Sequence, residues 1–124
     1  MAKKRILIID DEEDICEMMK LNLESTGEFA VDTAMTGEKG VEMAKGADYD
    51  LVITDYYMPG MDGGEVLDAV KEMRPGTPVL LFSIYHDDIS TLSASVKNRA
   101  DGLLSKPIQH EELYAIIKKA LGKQ

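Results

Sequence analysis

Leu51-Val52-Ile53-Thr54-Asp55, followed by Tyr56-Tyr57-Met58-Pro59-Gly60-Met61-Asp62-Gly63-Gly64, is the stretch on which the reading of the fold turns. An uninterrupted apolar run reads as a strand covered on both faces, and the Pro- and Gly-rich segment behind it reads as a loop. Asp55 is therefore expected at the carboxyl end of a buried strand. Open α/β sheets hold their ligands at that edge, which makes Asp55 the first candidate for chemistry. Taken alone, an Asp there serves equally well as a strand cap or the start of a turn. What it does depends on which other residues reach the same edge.

The pattern repeats on both sides of this stretch. Towards the amino terminus, Ile6-Leu7-Ile8-Ile9 stops at Asp10-Asp11-Glu12-Glu13-Asp14, a change from apolar to acidic that ends a strand and starts a helix. That helix should run to about Ser25 with Ile15, Met19 and Leu23 buried, and Gly27 should end it. Ala30-Val31-Asp32-Thr33-Ala34 is a weaker, alternating strand. Thr36 then caps a helix with Gly40, Val41 and Ala44 on one face, ending near Gly46. Towards the carboxyl terminus, Val66, Leu67, Val70 and Met73 mark an amphipathic helix stopped by Arg74-Pro75-Gly76. Pro78-Val79-Leu80-Leu81-Phe82 is a strand ending at Ser83. A helix of roughly residues 88–98 carries Ile89, Leu92 and Val96, but Ser90, Thr91, Ser93 and Ser95 make it soft. Gly102-Leu103-Leu104-Ser105 is a short strand running into Lys106-Pro107. The last helix buries Leu113, Ile116, Ile117, Ala120 and Leu121 and ends at Gly122.

Five alternations of strand and helix predict an α/β fold, a three-layer, doubly wound parallel sheet with helices on both faces. The near-continuous apolar strands belong in the middle and the two weaker ones at the edges. The order 2-1-3-4-5, the flavodoxin-like arrangement, meets that condition, with its switch point between the strands that end at Asp10 and at Asp55.

Composition narrows the function classes. The 124 residues are the size of one domain, with no room for a separate effector domain. A formal net charge of -9 argues against direct contact with nucleic acid or an anionic membrane. Cys16 is the one cysteine, so no internal disulfide forms, and its helical setting reads as apolar filler. Lys3-Lys4-Arg5 precedes an apolar run too short for a signal peptide or a membrane span, so a cytoplasmic setting is expected. Met18, Met19 and Met73 read as core filler, and His86 and His110 as surface residues without ligand spacing.

The expected sheet order gathers Asp10, Asp11, Asp55, Ser83 and Lys106 at one edge. Three carboxylates ~4 Å apart at an effective dielectric of about 20 repel by roughly 4 kcal/mol per pair, so a cation is needed. All-oxygen ligation without Cys or His selects a hard ion, Mg²⁺ or in its place Mn²⁺. With the charge offset, Asp55 can attack a phosphoryl group while Lys106 and the ion absorb negative charge and Ser83 donates a hydrogen bond. Singly, each residue has an ordinary role: Asp10-Asp11 as helix-start acids, Ser83 as a strand-end hydroxyl, Lys106 as a solvated cation. Their joint arrival at the ends of successive strands favours the chemical reading.

These motifs, Ile6 to Asp11, Asp55 to Gly63, and Ala100-Asp101-Gly102-Leu103-Leu104-Ser105-Lys106-Pro107, resemble the receiver domain of bacterial response regulators, close to the stand-alone, CheY-like chemotaxis type. The resemblance spans the chain. It implies a single receiver domain over residues 1–124, a phosphoacceptor switch and not a turnover enzyme. Asp55 would accept a phosphoryl group from the phosphohistidine of a kinase or phosphotransfer protein. Asp10, Asp11, Asp55 and the Tyr57 backbone carbonyl would hold Mg²⁺. Ser83 would engage the phosphoryl group and Lys106 would pair with it, before a cis bond to Pro107. The modified surface would then engage a downstream protein, and pairing of two copies through the fourth and fifth helices is a mode many relatives use.

The chain departs from that family at three places. Ile84 stands where relatives usually carry a small residue, which predicts restricted access to Asp55. Tyr57 and Tyr85 are bulky at positions that influence the attacking water, which predicts slow self-dephosphorylation. Leu103 replaces the aromatic switch residue three positions before Lys106, and nothing in the sequence shows that Tyr85 takes over that role. Ile84 and Leu103 favour an alternative, a non-phosphorylated docking module, which the intact Asp10, Asp11, Asp55, Ser83 and Lys106 set opposes. An acidic Asp10-Asp11-Glu12 would repel a flavin phosphate, and an aspartyl-phosphate hydrolase would carry its nucleophile after the first strand.

Overall fold

A computed structural model describes residues 3–83, 94–105 and 108–122. Five parallel strands form one sheet in the order β2-β1-β3-β4-β5. They are β1 (Lys4–Ile9), β2 (Phe29–Ala34), β3 (Leu51–Asp55), β4 (Val79–Ser83) and β5 (Gly102–Ser105). The helices between and after them are α1 (Glu13–Glu24), α2 (Gly37–Gly46), α3 (Gly63–Met73), α4 (Ala94–Arg99) and α5 (His110–Leu121). Order and edge strands agree with the sequence reading. The expected start of the fourth helix, with Ile89 and Leu92, lies outside the described residues, as do Ile84, Tyr85, His86, Lys106 and Pro107.

Strand alternation divides the core in two, because successive side chains leave a strand on opposite faces. Ile6, Ile8, Leu51, Ile53, Leu80, Phe82 and Leu104 meet α1 and α5 through Cys16, Met19, Leu23, Leu113, Ile117 and Ala120. Leu7, Ile9, Val52, Val79 and Leu81 meet the other layer through Ala44, Val66, Leu67, Val70 and Val96. β3 is buried at every position, as its unbroken apolar run requires.

Local signals act largely as read. Thr36 accepts a hydrogen bond from the Lys39 amide at 3.0 Å and so caps α2. Gly27 takes a left-handed φ of +79° beyond α1, where its amide reaches the Glu24 carbonyl at 3.1 Å. Two readings need correction. Met18 is 46% exposed, because the buried stripe of α1 runs through Cys16, Met19 and Leu23 and Met18 stands about 100° round the helix from its neighbour Met19. β2 begins at Phe29, one residue earlier than expected, and that ring is buried against Tyr114 of α5 in an edge contact of 6.2 Å.

Candidate functional site

Asp10 and Asp55 are the buried carboxylates among the described residues, with 0% and 4% exposure. Such burial is costly for a charged group unless neighbouring groups stabilise it. The fold places them together for a simple reason. β1 and β3 pair in parallel with Ile9 opposite Thr54, so the next residue of each strand is Asp10 and Asp55. Both continue the parity of Ile8 and Ile53 and so belong to the α1/α5 face. Asp11 follows, exposed, at the turn into α1. A carboxylate oxygen from each of Asp10, Asp11 and Asp55 lies within 4.8 Å of the others.

The backbone around the cluster is tightly held. The Asp10 amide donates to Ala34 at 3.0 Å, and its Oδ1 accepts from the Glu12 amide at 2.9 Å, bending the chain into α1. Cys16 Sγ donates to the Asp10 carbonyl at 3.4 Å, so the buried thiol supports this turn as well as filling space. Thr54, fully buried, donates from Oγ1 to the Asp55 carbonyl at 3.0 Å. Beyond Asp55, the Tyr56 amide donates to Phe82 at 2.9 Å and the Gly63 amide returns to the Tyr56 carbonyl at 2.8 Å. A Cβ on Gly63 would fall 2.4 Å from the Asp55 carbonyl oxygen, so only glycine allows α3 to start this close to β3. Gly60, with φ +77°, supplies the left-handed turn inside the loop.

The remaining predicted residues fall as follows. Tyr57 is half exposed and packs edge-on against Tyr56 with ring centres 4.9 Å apart. Burial, then the nearby Asp62 charge, raises the Tyr56 hydroxyl pKa. Ser83 ends β4 opposite Ser105 of β5, one step beyond the level of Asp55. Leu103 is half-buried and packs in the layer formed by α2, α3 and α4. Ile84, Tyr85, Lys106 and Pro107 lie outside the described residues. The sequence reading missed two supports. Asp62 caps α3 by accepting from the Glu65 amide at 2.9 Å, and the Glu65 carboxylate accepts from the Asp62 amide at 3.2 Å, a capping box legible in Asp62-Gly63-Gly64-Glu65. Gly37 lets α2 approach Met61 of the same loop, a close contact that sequence spacing cannot reveal.

Chemically, three carboxylate oxygens converging on one point form a site for a hard, oxygen-seeking divalent cation. The two buried members favour such an ion further, because it offsets a repulsion that low-dielectric surroundings enlarge.

The model of the response regulator receiver domain family matches residues 6–118. The chain is 36% identical over 121 residues to the uncharacterized transcriptional regulatory protein YkoG of Bacillus subtilis, covering 98% of this chain and 52% of that protein. It thus spans about half the length of the curated relatives it matches first. Among solved structures it is similar to response regulator protein TrrA of Thermotoga maritima in complex with Mg(2+)-BeF, with 34% identity and a TM-score of 0.85 over 94% of this chain and 98% of that one. It is also similar to chemotaxis protein CheY4 of Vibrio cholerae, with 28% identity and a TM-score of 0.83 over 96% and 99% of the two chains. Sheet order, the paired carboxylates at the switch point and the match over residues 6–118 agree: the chain belongs to the response regulator receiver domain family.

Proposed function

We propose that this receiver domain is a phosphoacceptor switch in which Asp55 takes a phosphoryl group from the phosphohistidine of a sensor kinase or phosphotransfer protein. The observation that carries the reading is the meeting of Asp10, Asp11 and Asp55 oxygens within 4.8 Å at the carboxyl edge of the sheet. An Asp55 oxygen attacks phosphorus, the new P–O bond forms as the P–N bond breaks, and the departing imidazole keeps the electron pair and takes up a proton from solvent. Asp10, Asp11, Asp55 and the Tyr57 carbonyl would hold Mg²⁺, an ion that the relative TrrA carries in its complex. When bound, the ion draws off charge developing on the phosphoryl oxygens. Ser83 and Lys106 are assigned the hydrogen bond and the ion pair to the phosphoryl group. Burial of Asp55 at 4% exposure limits the approach of water. The bulk of Tyr57, Tyr85 and Ile84 at their sequence positions after Asp55 and Ser83 supports assigning the acyl phosphate a long life.

Output is assigned to protein contact. Charge added at Asp55 would bias α4 and β5, the region next to it across β4, between two arrangements that a downstream protein or a second copy distinguishes. The net charge of -9 disfavours direct nucleic-acid binding by this domain. No helix among the described residues is long and apolar enough to cross a membrane, and a cytoplasmic site of action accords with that.

Intact mass measured after incubation with Mg²⁺ and a small-molecule phosphodonor tests the assignment. Wild type should gain one phosphoryl group, lost in Asp55→Asn and on chelation of the metal, and the label should outlast hours. A lifetime of seconds removes the slow-release part. Labelling seen only in Ile84→Ala places the restriction at Ile84, whereas no gain in either protein overturns the phosphoacceptor reading in favour of a docking module.

A further inference from the structure

The loop of residues 56–62 leaves β3 immediately after Asp55 and carries the Tyr57 carbonyl, yet most of its length has no strand partner to set its height over the sheet. Its near end is tied by the Tyr56 amide to Phe82, and its far end is drawn back to the Tyr56 carbonyl by the Gly63 amide and joined to α3 by the Asp62–Glu65 capping box. Its far half is met from the side by α2. A Cβ built on Gly37 would fall 2.6 Å from the Met61 carbonyl oxygen, 3.0 Å from Met61 Cβ and 3.1 Å from Met61 Cγ. The first two atoms belong to the chain's rigid part, so a methyl group there displaces the loop or the helix. The helix has little freedom to retreat. One turn on, a Cβ on Gly40 would fall 2.2 Å from Cδ1 of Ile9, the residue before Asp10, so α2 lies directly on β1. Backing away would strip Gly40 and Ala44, both buried, from the sheet. Glu38 closes the same seam, with its Oε2 2.9 Å from where a Gly60 Cβ would stand.

We propose that Gly37 is a positioning residue: the space left by its missing side chain lets the first turn of α2 abut Met61 and hold the loop, and with it the Tyr57 carbonyl, in register with Asp10, Asp11 and Asp55. The inference rests on the reading that these groups bind Mg²⁺. By reciprocity, filling the site steadies the start of α2, because a contact that favours the bound loop is itself favoured by binding.

Two alanine substitutions in one helix separate this from a general effect on stability. Gly37→Ala and Gly46→Ala make the same chemical change and the same kind of propensity gain, but a Cβ at Gly46 meets nothing within 4 Å. Mg²⁺ titrated calorimetrically into each full-length protein should bind Gly37→Ala about tenfold more weakly than wild type, the size usual for a residue that orients metal ligands. Gly46→Ala should match wild type. Melting without metal gives the second readout. Gly37→Ala that melts lower yet binds Mg²⁺ as wild type does has a purely structural defect, and the inference is overturned. Should Gly37→Ala not fold, hydrogen exchange of wild type decides: the Lys39 and Gly40 amides, which bond to Thr36, should exchange more slowly with Mg²⁺ than without. No change in their exchange overturns the proposal. Wild type that binds no Mg²⁺ overturns the functional reading and this inference together, whereas equal binding by wild type and Gly37→Ala overturns this inference alone.

Discussion

Asp10 serves two ends at once. One of its oxygens accepts the Glu12 amide at 2.9 Å, which is the ordinary duty of an acid before a helix, while the residue also contributes to the three-carboxylate cluster. The two readings open at the level of sequence were therefore not rivals. Asp11 differs in being exposed, so its charge adds to the cluster at less desolvation cost. It is the member whose removal tests the repulsion. In metal-free, low-salt buffer, Asp11→Asn relieves a repulsion of about 1 kcal/mol at water-like dielectric. That should raise the melting temperature by about 4 °C for a domain of this size. With excess Mg²⁺ the order should reverse, because wild type gains binding free energy that the variant loses. Scanning calorimetry with and without the metal reads both signs, and a metal-free variant that melts below wild type would show that the cluster is not under electrostatic strain.

At the scale of elements, legibility followed the source of the ordering force. β3, β1 and β4 were plain in the sequence because strands covered on both faces must be apolar throughout, and the placement of Asp10 and Asp55 followed from where those runs stop. Met18 was misread because a stripe at helical spacing is set to within one residue by its partners across the interface, here β-strand side chains that no local pattern reveals. The close approaches of Gly37 to Met61 and of Gly63 to Asp55 were hidden for a related reason: a glycine signals permission, not what comes near. The Asp62 cap is legible in Asp62-Gly63-Gly64-Glu65. Its capping box ties the loop's end to α3, and Asp62→Ala should cost about 1 kcal/mol. Urea denaturation should show a lower midpoint with an unchanged slope, since the loss is of a local bond and not of compactness. An unchanged midpoint would mean that the buried Val66, Leu67 and Val70 face alone anchors the start of α3.

On the scale of the whole molecule, the Asp10, Asp11 and Asp55 cluster occupies one end of the sheet and a separate polar network ties the chain nearer the other. Tyr49, 6% exposed in the link from α2 to β3, donates to Asp32 of β2 at 2.7 Å, with the Arg5 guanidinium 4.9 Å from its ring centre. Arg5 also pairs with Asp32 at 3.5 Å, and its amide donates to Asp50 at 2.8 Å. Two strands, β1 and β2, and the link into β3 are joined there around one phenol. Burial, followed by the hydrogen bond and charge of Asp32, pushes the Tyr49 hydroxyl up to about 12. The folded state therefore prefers neutral Tyr49 more than the unfolded chain does, whose phenol ionises near its ordinary value of about 10. The resulting stabilisation is fully present below about pH 10 and is lost as the pH rises to about 12, where the folded protein ionises too. Tyr49→Phe removes both the bond and the titration. It should lower stability at pH 8 by about 1 kcal/mol. Its gap from wild type should then close between pH 10 and 12, as measured by urea midpoints across that range. A gap that stays constant would assign the loss to packing, and one that widens would reverse the sign of the coupling between Tyr49 and the sheet.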